Sequence, residues 1–334
     1  MATSLLDGCI AYATPINVIN LLLLTLVTVV IKSRYFSPLS DISGPFLASI
    51  TRFWQIKTLL QGDSVNVIYK LHHKHGPFVR IAPNEISVRH RNGPKKLLLS
   101  ALPKDNWYRA GALSDYRFET TLSITDPKVK VACARHLLQG YSTTSLLRQE
   151  ERMDEVFSLL LDWLHHFATT QKKMDLDEFF TFTAADITGQ VLFSKPFGFL
   201  REGRDIDDTL ACSHGIAGIG SVAGYSPWAN KLVANPLVTW FGVLPFKLIF
   251  DTAMNAITER QKQLSDSEER SNDILNQWLQ AHTDSKLTLR NVQAQTTLGV
   301  SAGTDAISTG FQTFVYNTMR HPTAWRKYRE EILE

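Results

Sequence analysis

The sequence predicts a mainly α-helical protein with one small β-hairpin region, carried behind an N-terminal transmembrane helix. Three observations predict it. The 23 residues from Cys9 to Ile31 carry no charge. Apolar residues recur at three- and four-residue spacing through most of the later chain. Strand-like segments are confined to Val79-Arg80-Ile81 and Ile86-Ser87-Val88, either side of a Pro83-Asn84 turn.

Composition bounds the function. A chain of 334 residues, 44% hydrophobic and 20% charged, is too apolar and too evenly charged to be disordered. A formal net charge of +3, from 35 basic and 32 acidic residues, argues against a dedicated nucleic-acid binder, which needs clustered Lys and Arg to neutralise phosphates. Cys9, Cys133 and Cys212 are too scattered for a disulfide framework or a zinc site of CxxC spacing, so no metal site is assigned on spacing.

As a helix, Cys9 to Ile31 would rise about 35 Å, enough to cross a hydrocarbon core of ~30 Å. Asp7 precedes it, and Lys32 and Arg34 follow it, which places the N-terminus outside and the chain beyond Lys32 in the cytosol. Met1 to Asp7 has no basic residue and no small-x-small site follows Ile31, both unlike a cleaved signal peptide. The expected organisation is a lumenal stretch 1–8, an anchor 9–31, a Pro/Gly-rich hinge 32–45 and a cytosolic body 46–334 with one core.

Within the body, a helix over Val65 to His75 ends at Gly76-Pro77, ahead of the hairpin. Met153, Val156, Phe157, Leu160, Leu161, Leu164 and Phe167 mark an amphipathic helix, and Phe179 to Phe193 reads the same way. A Gly/Pro-rich passage, Gly215 to Pro245, precedes a helical stretch from Lys247 to His282. Thr288 is a natural N-cap for a long helix ending at Arg320, before Pro322, and Thr323 to Glu334 reads as one more helix.

Three motifs require weighing. His72 and His75 share a helix face without a third ligand, so they and His165-His166 read as solvated positions. Gly218-x-Gly220 with Gly224 does not follow a strand and is one residue too long for a dinucleotide loop, so it reads as a flexible connection. Gly299, Ala302, Gly303, Ala306 and Gly310 leave one face of the long helix almost bare, with Asp305 beside it in mid-helix. Such a stripe admits either a closely packed helix or a flat cofactor with a small molecule above it.

Ser301-Ala302-Gly303-Thr304-Asp305 resembles the oxygen-binding helix of cytochrome P-450 monooxygenases. Other segments resemble that family in the same order. They are Ile42-Ser43-Gly44-Pro45 after the anchor, Leu71 to Ile86 at the helix-to-hairpin entry, Asp186 to Phe193 with Phe197 to Leu200, Asp273-Ile274-Leu275, and Arg320-His321-Pro322. The likeness is to microsomal fungal enzymes of secondary metabolism. It implies an incomplete cytochrome P-450 fold, a b-type haem (heme b) under a cysteine thiolate, and insertion of one oxygen atom into an apolar small molecule. It also implies an NADPH-dependent reductase and membrane lipid as partners, no nucleic acid, and a single-pass location in the endoplasmic reticulum membrane.

The resemblance assigns Ala302 and Gly303 to the haem face, Asp305 to proton relay and Arg135 to a haem propionate. Two positions depart from the family pattern. Ala306 stands where the oxygen-activating threonine is expected, and Val131 stands where the arginine's His or Trp partner is expected. Trp107, Phe118 and the loop Gly215 to Trp228 are expected substrate linings. The sequence contains no Glu-x-x-Arg and no cysteine after Cys212, so none is available for the family's haem-binding loop. Those absences support a second expectation, a truncated, catalytically inactive membrane-anchored remnant without haem.

Overall fold

The structure is a computed structural model that describes residues 15–112, 116–226, 231–232, 235–241, 246–266 and 272–333. It is mainly helical with one two-stranded antiparallel sheet. It divides into two compact units, Met1–Leu102 and Pro103–Glu334.

The first unit begins with α1 (Pro15–Tyr35), followed by the short helices α2 (Phe46–Ile50) and α3 (Phe53–Leu60) and then α4 (Ser64–His75). Next come β1 (Phe78–Ala82), β2 (Glu85–Val88) and α5 (Gly93–Leu98). The helix α1 is long and apolar enough to cross a membrane, and none of its residues is buried. The start expected at Cys9 lies outside the described residues. At its other end the helix continues past Ile31 to Tyr35. The strands pair from Phe78↔Val88 to Ala82↔Glu85, with an irregularity between Arg80 and Ala82.

Arg80 ties this unit together. Its side chain is buried, and its guanidinium donates to the carbonyls of Ser33 at 2.9 Å and Pro83 at 2.5 Å and to Ser37 Oγ at 3.2 Å. The Arg80 backbone N–H donates to Ser43 O at 2.9 Å. Gly44 passes so close that a Cβ there would stand 2.2 Å from Arg80 O. The segment joining α1 to the sheet is therefore packed onto β1 rather than left in solvent. His72 also departs from expectation. It is buried, with Nδ1 2.8 Å from Gly76 O and Nε2 2.9 Å from Ser87 Oγ, so it holds the helix end against the hairpin. Sequence spacing cannot separate a solvated histidine from one folded back on its own turn.

The second unit contains α6 (Pro127–Leu137), α7 (Thr143–Leu147), α8 (Glu150–Thr170), α9 (Leu176–Phe193), α10 (Phe199–Glu202) and α11 (Thr209–Ala223). It continues with α12 (Pro236–Trp240), α13 (Phe246–Asp266), α14 (Ile274–Thr283), α15 (Leu289–Arg320) and α16 (Pro322–Leu333). One cluster gathers Leu137, Ile257, Trp278, Val292 and Val300, with Trp278 Nε1 donating to Leu137 O at 3.0 Å. A second gathers Val156, Leu160, Phe179, Phe182, Phe199 and Leu200.

The helix α9 is buried around its whole circumference, not on one face as expected, because every residue from Phe179 to Gln190 is buried. Its threonines escape the cost of burying a hydroxyl by bonding to their own helix. Thr183 Oγ1 donates to Phe179 O at 2.7 Å and Thr188 Oγ1 to Ala184 O at 2.8 Å. The Gly215-to-Gly224 passage is largely helix α11 rather than a flexible connection. Glycine weakens a helix, but tertiary contacts override propensity here. Trp107 Nε1 donates to Ser221 O at 3.1 Å, and Gly224 lies directly under the Trp107 ring. The stretch expected from Lys247 to His282 is two helices, α13 and α14, the second capped by Asp273.

The axis of the unit is α15, seated along α9. A Cβ on Gly303 would stand 2.9 Å from Thr188 Cγ2, and Thr181 Oγ1 lies 2.9 Å from Ser308 Oγ. Thr188 is held by its own hydrogen bond and gives way poorly. Gly303→Ala is therefore expected to destabilise the protein by about 1–2 kcal/mol, although alanine favours a helix, because overpacking outweighs propensity. The midpoint of denaturant unfolding measures it.

Candidate functional site

The long helix α15 has two unlike faces. Thr288 caps it, with Oγ1 accepting from Asn291 N at 3.1 Å and Asn291 Oδ1 accepting from Thr288 N at 3.0 Å. At 100° per residue, Val300, Thr304 and Ser308 lie on the side turned to α9, and all three are buried. Ala302, Ala306, Thr309 and Thr313 follow one another at four- and three-residue steps on the opposite side, and all four are exposed. The bare stripe is thus split. Gly299 and Gly303 serve the close approach of another helix, meeting Leu192 and Thr188. Ala302 and Ala306 form an open surface on which no side chain extends beyond a methyl group. Asp305 is half-buried at the edge between the two faces.

Arg135 lies in the last turn of α6, exposed, one turn beyond Val131, which is 59% exposed. The same helix is fixed to the body on its other side, through Leu137 and Cys133 in the cluster around Trp278. Ala302, Gly303, Asp305 and Ala306 are therefore brought together by one helix. Arg135 comes from a separate helix anchored in the same core.

A flat cofactor of the haem kind can be tested against these surfaces. The exposed Ala302 and Ala306 face would let a planar group lie against backbone, and Arg135 is exposed on its helix. The residues present fit the face and the propionate contact of such a group. Cys133 does not fit as an axial thiolate. It packs against apolar side chains, and burial pushes its thiol pKa up, so it is held as a neutral thiol.

The expected substrate linings fall in two places. Trp107 packs on Tyr225 with ring centroids 6.1 Å apart and bonds to Ser221, which joins it to the 215–226 segment; residues 227 and 228 lie outside the described residues. Phe118 sits edge-on to Phe250 at 5.7 Å, and these two rings line a narrow cleft with Leu298 and Ser301 of α15. Leu298 is one turn before Ala302, so its place was legible from spacing. Phe250 had no local signal, because α13 reaches the cleft only through the tertiary fold.

The cytochrome P450 family profile matches residues 44–334. The chain is 27% identical over 317 residues to cytochrome P450 monooxygenase prhB of Penicillium brasilianum, a match covering 92% of this chain and 63% of that protein. It is 25% identical over 317 residues to pisatin demethylase of Fusarium vanettenii, covering 90% of this chain and 61% of that protein. A cytochrome P450 monooxygenase of Aspergillus terreus is 25% identical over 347 residues, covering 98% of this chain and 69% of that protein. The chain spans about three fifths of the length of the first of these relatives.

Proposed function

The chain belongs to the cytochrome P450 family, and from that premise we propose that it forms the oxygen-side part of a haem-thiolate monooxygenase. The enzyme would insert one oxygen atom into an apolar small molecule in a fungal secondary-metabolite pathway. The observation that carries this is the exposed Ala302 and Ala306 surface on a helix whose other face is locked into the core.

Haem, when bound, would supply oxygen activation, with a thiolate ligand pushing electron density onto iron. The chain's own residues would do the rest. Ala302 lets a planar group approach the helix. Gly303 acts one step back, by letting α15 seat on α9 so that the open face is rigid. Arg135 would bind a propionate through its guanidinium. Asp305 would hold a proton at its carboxylate beside the open face. Ala306 offers no hydroxyl, so water or a substrate hydroxyl would complete the proton route. Trp107, Phe118 and Phe250 would exclude water from an apolar substrate.

The apolar helix α1 supports anchoring in the endoplasmic reticulum membrane with the N-terminus lumenal and the body cytosolic, where an NADPH-dependent reductase would supply electrons. Ala306, the exposed Val131 and the half-buried, neutral thiol of Cys133 favour a second reading, a membrane-anchored family member without catalysis. Sequencing the transcript from its 3′ end separates the two. The enzyme reading expects the frame to continue past Glu334 through a Glu-x-x-Arg and a Phe-x-x-Gly-x-x-x-Cys loop. A stop codon directly after Glu334 would overturn it in favour of the second.

A further inference from the structure

The side of α15 that faces away from Ala302 and Ala306 borders a half-open cavity of about 170 Å³ between α9, α11, α13 and α15. Its walls are largely apolar, with Leu210 from α11, Ile249 from α13 and Val300 from α15. An apolar cavity of ~150 Å³ is large enough to hold benzene.

Four hydroxyl residues, Thr209, Ser213, Thr252 and Thr304, interrupt the apolar lining, and the Thr209 hydroxyl is already spent on Ile206 O at 2.6 Å. Thr304 is 5% exposed, and its Oγ1 reaches Val300 O only at 3.5 Å, the outer limit of a hydrogen bond. Ser213 contributes another from α11. A buried hydroxyl so weakly engaged retains lone pairs for an incoming donor. Asp207, which lines the cavity, and the following Asp208 are consecutive non-glycine residues with φ of 53° and 52°. They are held there by Asp205, whose carboxylate accepts from Leu210 N and Ala211 N at 3.1 Å each. Consecutive left-handed residues of this kind persist where the surrounding structure over-determines them, often beside ligand sites. The Asp207 carboxylate at the mouth disfavours anions.

We propose that this cavity is a second small-molecule site, separate from the open face of α15, that takes a neutral one-ring molecule carrying a single hydroxyl, of the phenol class. Apolar walls of this size select the ring. Thr304 and Ser213 select the hydroxyl, because a ligand that carries one can add a hydrogen bond that a bare ring cannot make. The proposal does not depend on the monooxygenase reading, since no residue of the cavity belongs to the Ala302 and Ala306 surface.

The test is ¹⁹F NMR of 4-fluorophenol and fluorobenzene with the full chain in lipid nanodiscs. Saturable binding of both is expected, with 4-fluorophenol about fivefold tighter, the ratio one net hydrogen bond supplies. The Thr304→Val, Ser213→Ala double variant should erase that preference and keep fluorobenzene binding. Filling the cavity from either side, with Leu210→Trp on α11 or Val300→Phe on α15, should abolish binding of both, and two independent fillings guard against one failing to fold. The proposal is overturned if the wild-type chain shows no saturable binding, or if the preference survives the double variant. It is equally overturned if Ala302→Trp removes binding while the filling variants do not, because the molecule then sits on the open face.

Discussion

Asp186→Ala is expected to destabilise the second unit by about 3 kcal/mol or more. Asp186 is 1% exposed. Its Oδ1 accepts from Gly198 N at 2.6 Å and Phe199 N at 3.2 Å, and its Oδ2 accepts from Leu200 N at 3.0 Å. One carboxylate on α9 thereby folds the following loop back onto its own helix and places Phe199 and Leu200 in the core. Removing it leaves three N–H groups without acceptors, each costing about 1–3 kcal/mol where water cannot enter. Asp186→Asn keeps the oxygen facing Gly198 and Phe199 and is expected to cost about half as much.

The pH dependence of that comparison has a definite sign. Burial raises the Asp186 pKa above the usual carboxylate range, against the opposing effect of the backbone donors. A raised carboxyl pKa means the fold prefers the protonated form. The contribution of Asp186 to stability is therefore largest below the ordinary carboxylate pKa and declines as pH rises through the raised one. Measured against the non-titrating Asp186→Asn, the advantage of the wild-type chain should shrink on going from acid towards neutral pH. An advantage that grows over that range would contradict the assigned direction.

Arg80→Met is the second large effect, about 3 kcal/mol, and it is confined to the first unit. The guanidinium satisfies the Ser33 and Pro83 carbonyls and Ser37 Oγ from a position 1% exposed to solvent. Hydrogen bonds to a charged group are worth about 1.5–3 kcal/mol each, and methionine replaces the stem but none of the donors. The segment 33–44 should then gain amide hydrogen exchange and protease sensitivity, while the second unit's unfolding midpoint stays in place. Unchanged protection across 33–44 would show that the sheet holds the segment without Arg80. Arg80→Lys should rescue little, because a point charge cannot serve acceptors on several sides of a planar fork.

The parts of this fold that were legible in the sequence are those fixed by local chemistry. Thr288 announces the start of α15, Gly76-Pro77 the end of α4, and Pro83-Asn84 the hairpin turn. Each acts within a few residues, so spacing and residue type suffice. What was not legible depends on distant partners. The glycines of α11 look like a loop until Trp107 is packed on Gly224. The threonines of α9 look like a solvent face until their hydroxyls are seen to bond to their own helix.

The candidate site divides the same way. Small residues at helical spacing on α15 were visible, but which of them face a helix and which face open space was not. Gly303 falls on the packed side because Thr188 approaches it. Ala302 and Ala306 fall on the open side because nothing among the described residues covers them. Arg135 and Val131 were singled out by the family resemblance alone, and α6 exposes both.

The central claim is that the exposed Ala302 and Ala306 surface of α15 receives the haem. Haem titration of the full chain, followed by Soret absorbance for the wild type and for Ala306→Trp, tests it most directly. A tryptophan there projects from an exposed position and should leave the circular dichroism spectrum unchanged. Saturable binding of one haem by the wild-type chain, weakened at least tenfold by Ala306→Trp, is the predicted result; equal uptake by both proteins, or none by either, would contradict it.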